Sequence, residues 1–338
     1  MTMRRQFGAI SGPVYEYDLQ SAYPAAMLDL PCPLHTRWEH RQHVTELPQG
    51  ELYLAKVSFS HPDGGLWCGL PFRQNRCLFW PYEGTGWYWS PEIEAAQRHL
   101  HADIAPREVW IARRECNCRP FDWIQDLYNE RKRIGSNTRG HPLKLGLNSL
   151  YGKMAQRVGR GPYHDAAAAG LITAITRARL IEALASDPES IVMLATDAVF
   201  STRPLALDIG DNLGQWKENL WPDLFIAQPG VYWSPTNLQK SVKSRGAPRS
   251  IIGPAAPRFH KVFNEWLELM RRPEAMPIML TERHIPSVPV TVRVFYGCRL
   301  ALARGKSWLA GKPTAPLSTS LAPHERRSKP VWAPFDDT

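Results

Sequence analysis

Lys144-Leu145-Gly146-Leu147-Asn148-Ser149-Leu150-Tyr151-Gly152-Lys153 is the most informative run in the sequence. Lys144, Asn148 and Tyr151 stand at i, i+4 and i+7, which places them on one helical face. A cation, an amide and a phenol make a poor core stripe and a good surface for reading phosphates and bases. A solvated basic helix with an Asn cap would explain the charges, but not the joint placement of Asn148 and Tyr151. The preceding segment, 121–134, also has helical period, with Phe121, Ile124, Leu127, Tyr128 and Ile134 apolar. A polar break at 135–142 separates it from the second helix, expected over 143–158. The two form a helical hairpin rich in Arg and Lys, in which Arg131 supplies a second cation.

Working outward from this hairpin, two acidic segments flank it. Upstream, Val14–Leu19 reads as a strand that ends in Tyr17-Asp18-Leu19-Gln20-Ser21-Ala22-Tyr23-Pro24. An Asp at the end of a strand before a tight turn puts a carboxylate at a sheet edge, where backbone N–H groups can face a phosphate. An Asp that merely caps the following turn is the alternative. Pro24 and Pro31 then bound a short helix expected over 25–30. Downstream, a third long helix is expected over 166–186, followed by the apolar run 191–200 with a single acid, Asp197. A lone Asp there is costly to bury unless it is paired or binds a cation; the alternative is a hairpin turn that faces water. Between the two acids, 52–60 alternates like a strand. Ser90-Pro91-Glu92 looks like a helix start with Ser90 at the N-cap and Pro91 at the first helical position.

These three segments, in this order, resemble the three polymerase motifs of family B DNA polymerases. The first resembles Asp-x-x-Ser-Leu-Tyr-Pro with Ala22 in place of Leu. The second resembles Lys-x-x-x-Asn-Ser-x-Tyr-Gly and matches every fixed position. The third resembles Tyr-x-Asp-Thr-Asp-Ser, with Met193, Ala195 and Ala198 replacing Tyr, the first Asp and Ser. The stretch 70–97 and the run Lys243-Ser244-Arg245-Gly246 are similar to the protein-primed viral and plasmid subgroup. The resemblance covers roughly residues 14–250.

The resemblance implies an α+β fold: a right-hand polymerase with an antiparallel-sheet palm, helical-hairpin fingers and a small thumb. The palm would span 1–120, with an inserted subdomain at about 40–115, and 161–238; the fingers 121–160; the thumb and tail 239–338. It implies a template-directed DNA polymerase that adds deoxynucleotides to a 3′-hydroxyl by a two-metal-ion mechanism. Asp18 and Asp197 would be catalytic and, with the Leu19 carbonyl, would hold two Mg2+ ions, Mn2+ being able to substitute. Ser21, Ala22, Tyr23, Arg131, Lys144, Asn148 and Tyr151 would bind the nucleotide, with Tyr23 excluding a 2′-hydroxyl. Gly152, Lys153, Thr196, Lys243 and Arg245 would contact DNA. Because so little chain precedes the first motif, no 3′–5′ exonuclease domain is expected here, hence no proofreading. The short interval between Asn148 and Asp197 predicts low processivity. Partners would be primer-template DNA and dNTPs, together with a separate exonuclease, priming or accessory protein. The alternative reading is a weakened or inactive polymerase-like module that binds nucleic acid, or a primase-like subunit of a larger replication or defence complex.

Composition agrees with a polyanionic partner. Lys and Arg exceed Asp and Glu by 41 − 32 = 9, and the isoelectric point is about 9.3. No apolar run approaches the roughly 20 residues of a membrane span, and residues 1–12 lack the apolar stretch of a signal peptide. An intracellular protein, in a bacterial or virus-infected cell and away from membranes, is expected. Four of the 13 tryptophans, Trp67, Trp80, Trp87 and Trp89, lie close together, as base-stacking surfaces or as core. The six cysteines do not form a secreted disulfide framework. Cys116 and Cys118 are too close for a CxxC knuckle; Cys68 and Cys77 could join them around a metal, against a default of reduced thiols in a packed domain. Residues 310–338, rich in Pro and Ser, read as an extended tail.

Overall fold

A computed structural model describes residues 2–4, 8–62, 65–74, 77–135, 140–156, 163–228 and 231–244. Its elements, in chain order, are β1 (Thr2–Arg4), β2 (Gly8–Ile10), β3 (Val14–Leu19), α1 (Ala22–Met27), β4 (Thr36–Gln42), β5 (Tyr53–Ser60), β6 (Phe72–Gln74), β7 (Cys77–Phe79), β8 (Glu83–Trp89), α2 (Ser90–Leu100) and β9 (Asp103–Arg114). There follow α3 (Trp123–Ile134), α4 (Gly140–Ala155), α5 (Ala166–Ala185), β10 (Ile191–Ala195), β11 (Ala198–Ser201), β12 (Trp216–Trp221), β13 (Leu224–Gln228), β14 (Val231–Trp233), α6 (Leu238–Ser241) and β15 (Lys243–Ser244). The chain is α+β, with antiparallel pairing between the strands of every sheet.

The central sheet has the order β1-β10-β11-β3-β12. Strand alternation divides β3 between two environments. Tyr17 and Leu19 face one cluster with Leu180 and Leu184 of α5, Ile191, Leu194 and Val199. Val14 faces the other, with Val192, Met193, Phe200, Leu224, Ile226 and Tyr232, which joins the central sheet to a second sheet of order β15-β14-β13-β2. Glu16 and Asp18 share the face of Val14.

Helix α5 is apolar nearly all round, and so it is buried nearly all round. Leu180 and Leu184 back the central sheet, Ile181 and Ala178 meet Ala95 of α2, and Ile172 and Leu171 meet Ile124 and Tyr128 of α3 and Leu147 of α4. Full burial of each large aliphatic side chain contributes roughly 1.5–3 kcal/mol, so this helix is the main anchor of the molecule. Asp165 caps it by accepting from the Ala168 N–H at 2.9 Å. A side chain at position 170 would meet the indole Nε1 of Trp89 at 3.0 Å, so Gly170 permits the close approach of α5 to that ring. Arg177 of α5 also holds the buried Glu92 of α2 at 2.7 Å.

A third sheet, β4-β9-β5-β8, has its own core of Tyr53, Val57, Tyr88, Val109 and Ile111, covered by Ile93 and Ala96 of α2. Trp67, Trp80 and Trp89 are buried in cores, whereas Trp87 stays 42% exposed. Packing, not base stacking, therefore accounts for three of the four tryptophans.

Three element boundaries correct the sequence reading. Helix α1 begins at Ala22 rather than 25, because a Pro in a first turn has no N–H to lose and Pro24 is tolerated inside. Helix α4 begins at Gly140 rather than 143, with Pro142 again in the first turn. The N-cap of α2 is Trp89, whose N–H donates to Glu92 at 3.1 Å, and not Ser90. The Ser90 hydroxyl instead accepts from the Tyr53 N–H at 3.3 Å and so ties α2 to β5. Beyond Ser244 the expected thumb and tail lie outside the described residues, as does Arg245; the side chain of Cys77 is likewise not described.

Candidate active site

Strand β10 ends at Ala195 and β11 starts at its pairing partner Ala198, which leaves Thr196 and Asp197 as a two-residue turn. Such tight turns need a positive φ. Thr196 supplies it at 67°, and the Asp197 N–H closes onto the Ala195 carbonyl at 2.9 Å. For a β-branched residue this conformation is strained. The turn leans over β3, where the Leu19 N–H donates to the Asp197 carbonyl at 2.9 Å.

Directly paired residues of an antiparallel ladder share a face. The register therefore aligns Ala195, Ala198, Asp18 and Lys217 in one row across β10, β11, β3 and β12. Asp18 lies within this row and Asp197 in the turn beside it, and both are half-buried. Burial, then the negative charges of Asp197 and Glu16, push the Asp18 carboxyl up to about 7; Lys217 and Lys243 pull it back in part. The two acids, 179 residues apart in sequence (197 − 18), thus feel each other directly.

Glu16 and Lys217 carry no motif signal in the sequence. Glu16 lies two residues before Asp18 on the same face of β3, a spacing that could have flagged it. Its carboxylate accepts from the Trp221 indole N–H at 2.8 Å and the Tyr232 hydroxyl at 3.1 Å, which fixes it. Lys217 carried no local signal, because only the β12–β3 register sets it opposite Asp18. Lys243, on β15 beside Tyr232, brings its charge to the same carboxylate.

The turn after β3 connects the acids to the helical hairpin. Ser21 adopts φ 50° ahead of α1, and its hydroxyl accepts from Arg131 Nη1 of α3 at 3.4 Å. Tyr23 of α1 lies against Tyr151 of α4, with ring centroids 4.5 Å apart. Burial and the neighbouring Tyr23 push the Tyr151 hydroxyl up to about 12, so it is a neutral donor at physiological pH. Lys144 and Asn148 are exposed on the same face of α4, two turns and one turn before Tyr151. The Tyr128 hydroxyl, also missed from sequence, lies 3.0 Å from the Asp211 carbonyl and 3.4 Å from Gln20 Oε1. Gln20 is held in turn by the Gln215 carbonyl, which accepts its N–H at 2.9 Å. Ala22 is buried behind Ser21; Gly152 and Lys153 are exposed past Tyr151; Thr196 is in the hairpin turn.

This donor set fits a hard divalent cation. Two carboxylates held together by the fold repel one another, and a cation among oxygen donors would relieve that repulsion. Position 195 carries Ala where the resembled motif has its first Asp. It is two strands from Asp18, about 9–10 Å at the usual strand spacing, whereas Asp197 reaches over from the turn.

No protein-family profile matches the sequence. Two relatives do. The chain is 28% identical over 223 residues to the primer-independent DNA polymerase PolB of Escherichia coli, covering 56% of this chain and 25% of that protein. It is 34% identical over 131 residues to a DNA polymerase of Acidianus bottle-shaped virus, covering 37% of this chain and 19% of that protein. The chain therefore spans about a quarter or less of the curated relatives it matches. Its fold matches phi29 DNA polymerase complexed with primer-template DNA and incoming nucleotide, with a TM-score of 0.57 at 18% identity, over 73% of this chain and 53% of that one. The orthorhombic crystal form of the same enzyme gives a TM-score of 0.53. Among the described residues no helix is long and apolar enough to cross a membrane. In sequence the chain is similar to DNA polymerases, and it shares a fold with the phi29 enzyme.

Proposed function

We propose that this chain is the polymerising module of a family B DNA polymerase, which adds deoxynucleotides to a primer 3′-hydroxyl opposite a template. The observation that supports this most is the convergence of Asp18 and Asp197 beside a turn that Arg131 and the Tyr23–Tyr151 pair tie to the helical hairpin. In this reading the central sheet and α5 are the palm, α3 and α4 the fingers, the β4-β9-β5-β8 sheet an inserted subdomain, and the chain beyond 239 the thumb.

Asp18, Asp197 and the Leu19 carbonyl would hold two Mg2+ ions. Such ions stabilise the attacking and leaving oxygens of an in-line displacement. The rest is the protein's own work. Arg131 and Lys144 would bring positive charge to the triphosphate, where negative charge builds up during phosphoryl transfer. The backbone N–H groups near Ser21 and Ala22 would donate to phosphate oxygens. Tyr23, braced by Tyr151, would lie under the sugar and leave no room for a 2′-hydroxyl. Asn148 would face the nascent base pair. Gly152, Lys153, Thr196, Lys243 and Arg245 would follow the primer-template backbone. No excision activity is proposed for the described elements.

Extension of a labelled primer by the full chain tests the proposal. With Mg2+ or Mn2+ the wild-type protein extends the primer. Asp18→Ala and Asp197→Ala each reduce extension by about 10³-fold or more, in the range seen when an electrostatic element of a catalytic site is removed, while DNA affinity is largely kept. Wild-type rates in either variant would refute the assignment. DNA binding without extension by the wild-type chain would instead support the inactive-module reading that Ala195 and Ala198 suggest.

A further inference from the structure

A second cluster of donor atoms lies away from the aspartates. Cys32, His35, Cys116 and Cys118 bring one ligand atom each to within 4.8 Å of one another. The backbone explains the convergence. Strand β4 starts at Thr36, opposite Arg114 at the end of β9, and the Glu115 N–H extends the ladder to the His35 carbonyl at 3.2 Å. Cys32-Pro33-Leu34-His35 on one strand entry and Cys116-Asn117-Cys118 on the other strand exit therefore face each other at the open end of the ladder. Arg37 and Glu115 cross it with an ion pair at 3.0 Å, and Arg114 donates to the Asp29 carbonyl at 3.3 Å.

We propose that Cys32, His35, Cys116 and Cys118 form a structural Zn2+ site. The geometry is close to what the ion needs. With Zn–S near 2.3 Å and Zn–N near 2.0–2.1 Å, tetrahedral ligation sets sulfur and nitrogen about 3.5 Å apart. His35 Nδ1 is 3.5 Å from the sulfurs of both Cys32 and Cys118. Two backbone N–H groups, of Leu34 and His35, point at the Cys32 sulfur, and the Cys118 N–H donates to the Cys116 sulfur at 3.4 Å. Such N–H groups stabilise thiolate charge, the form that binds metal. All four positions are filled by protein, which is the mark of a structural rather than a catalytic zinc site. Cys68, which the sequence offered as a partner, is instead buried in the core among Trp67, Leu180 and Leu184.

The site would clasp two connections. Cys32 follows α1, 14 residues after Asp18 (32 − 18), and Cys118 precedes α3, 13 residues before Arg131 (131 − 118). A zinc ion here would fix the distance between the segment that follows the aspartate turn and the segment that leads into the Arg131 helix. This site stands or falls independently of the polymerase reading.

The test is metal analysis of the full chain, purified reduced and without chelator. The expected result is one Zn2+ per chain by mass spectrometry. Exchange for Co2+ should give the thiolate-to-cobalt charge-transfer and visible bands of a tetrahedral site. Cys116→Ser should lower zinc content about tenfold or more, whereas Cys68→Ser should retain it. Because the Cys116 variant could fail to fold, His35→Ala, at an exposed position, provides the second reading: zinc affinity drops about tenfold or more with the circular dichroism spectrum intact. Wild-type protein that takes up no zinc when Zn2+ is added, or His35→Ala that binds it unchanged, would overturn the proposal. So would alkylation mapping that finds Cys32 in a disulfide with Cys116 or Cys118.

Discussion

The aspartate turn and the cysteine–histidine cluster gather metal-binding side chains in opposite ways. At the first, two hard oxygen acids are brought together, and burial with the neighbouring negative charge pushes the Asp18 carboxyl up, a strain that a bound cation would relieve. At the second, soft sulfur and nitrogen donors fill every position and are supported by backbone N–H groups. An exchangeable ion suits the first and a permanent one the second. The difference also follows the backbone. Asp197 sits in a strained turn with Thr196 at φ 67°, whereas the cluster closes the end of a long regular ladder.

The strongest way to break this contrast is to exchange losses between the sites. Asp18→Ala should lose extension by about 10³-fold or more yet keep its full zinc content. If zinc content falls in parallel with extension, the two sites are one unit and the distinction fails.

A smaller effect comes from pH. The Asp18 carboxyl ionises near 7 in the folded chain and near 3.8 in the unfolded one. A raised acid contributes stability that is complete below the unfolded value and is lost as pH rises through the folded value. In Mg2+-free buffer with zinc in place, Asp18→Asn should therefore gain on wild type between about pH 4 and pH 7. At pH 8 the gain should be on the order of 1–2 kcal/mol after allowance for solvent screening, read from denaturant melts. Equal stabilities across that range would mean that the folded chain does not raise the Asp18 carboxyl.

The smallest effect is expected from Ala198→Ser. Position 198 is paired directly with Asp18, and a hydroxyl there can donate to the carboxylate. A net hydrogen bond of about 1 kcal/mol would favour the charged form and move the acid limb of the extension profile down by about half a unit or more. An unmoved limb would show that the hydroxyl points elsewhere.

What the sequence revealed follows from the range of the interactions. Strand Val14–Leu19 was readable to the residue because alternation and its turn are local signals. The 20-residue α5 and the tip of the Asp197 hairpin were readable for the same reason. The Lys144, Asn148 and Tyr151 stripe was legible, but its contact with Tyr23 was not, because helix packing sets it. Lys217 and the pairing of Cys32 and His35 with Cys116 and Cys118 depend on ladder register between distant segments. No window of sequence contains that information. Pro24 and Ser90 each follow one local rule that packing overrides: a proline reads as a boundary where a first turn accommodates it, and a serine as a cap where its hydroxyl serves β5.

Binding of Mn2+, followed by electron paramagnetic resonance at pH 8 in the presence of primer-template and a non-reactive deoxynucleotide triphosphate analogue, tests the central claim most directly. The account predicts tight Mn2+ binding by the wild-type chain and a loss of about tenfold or more in affinity in both Asp18→Asn and Asp197→Asn. Wild-type affinity in both variants would contradict it.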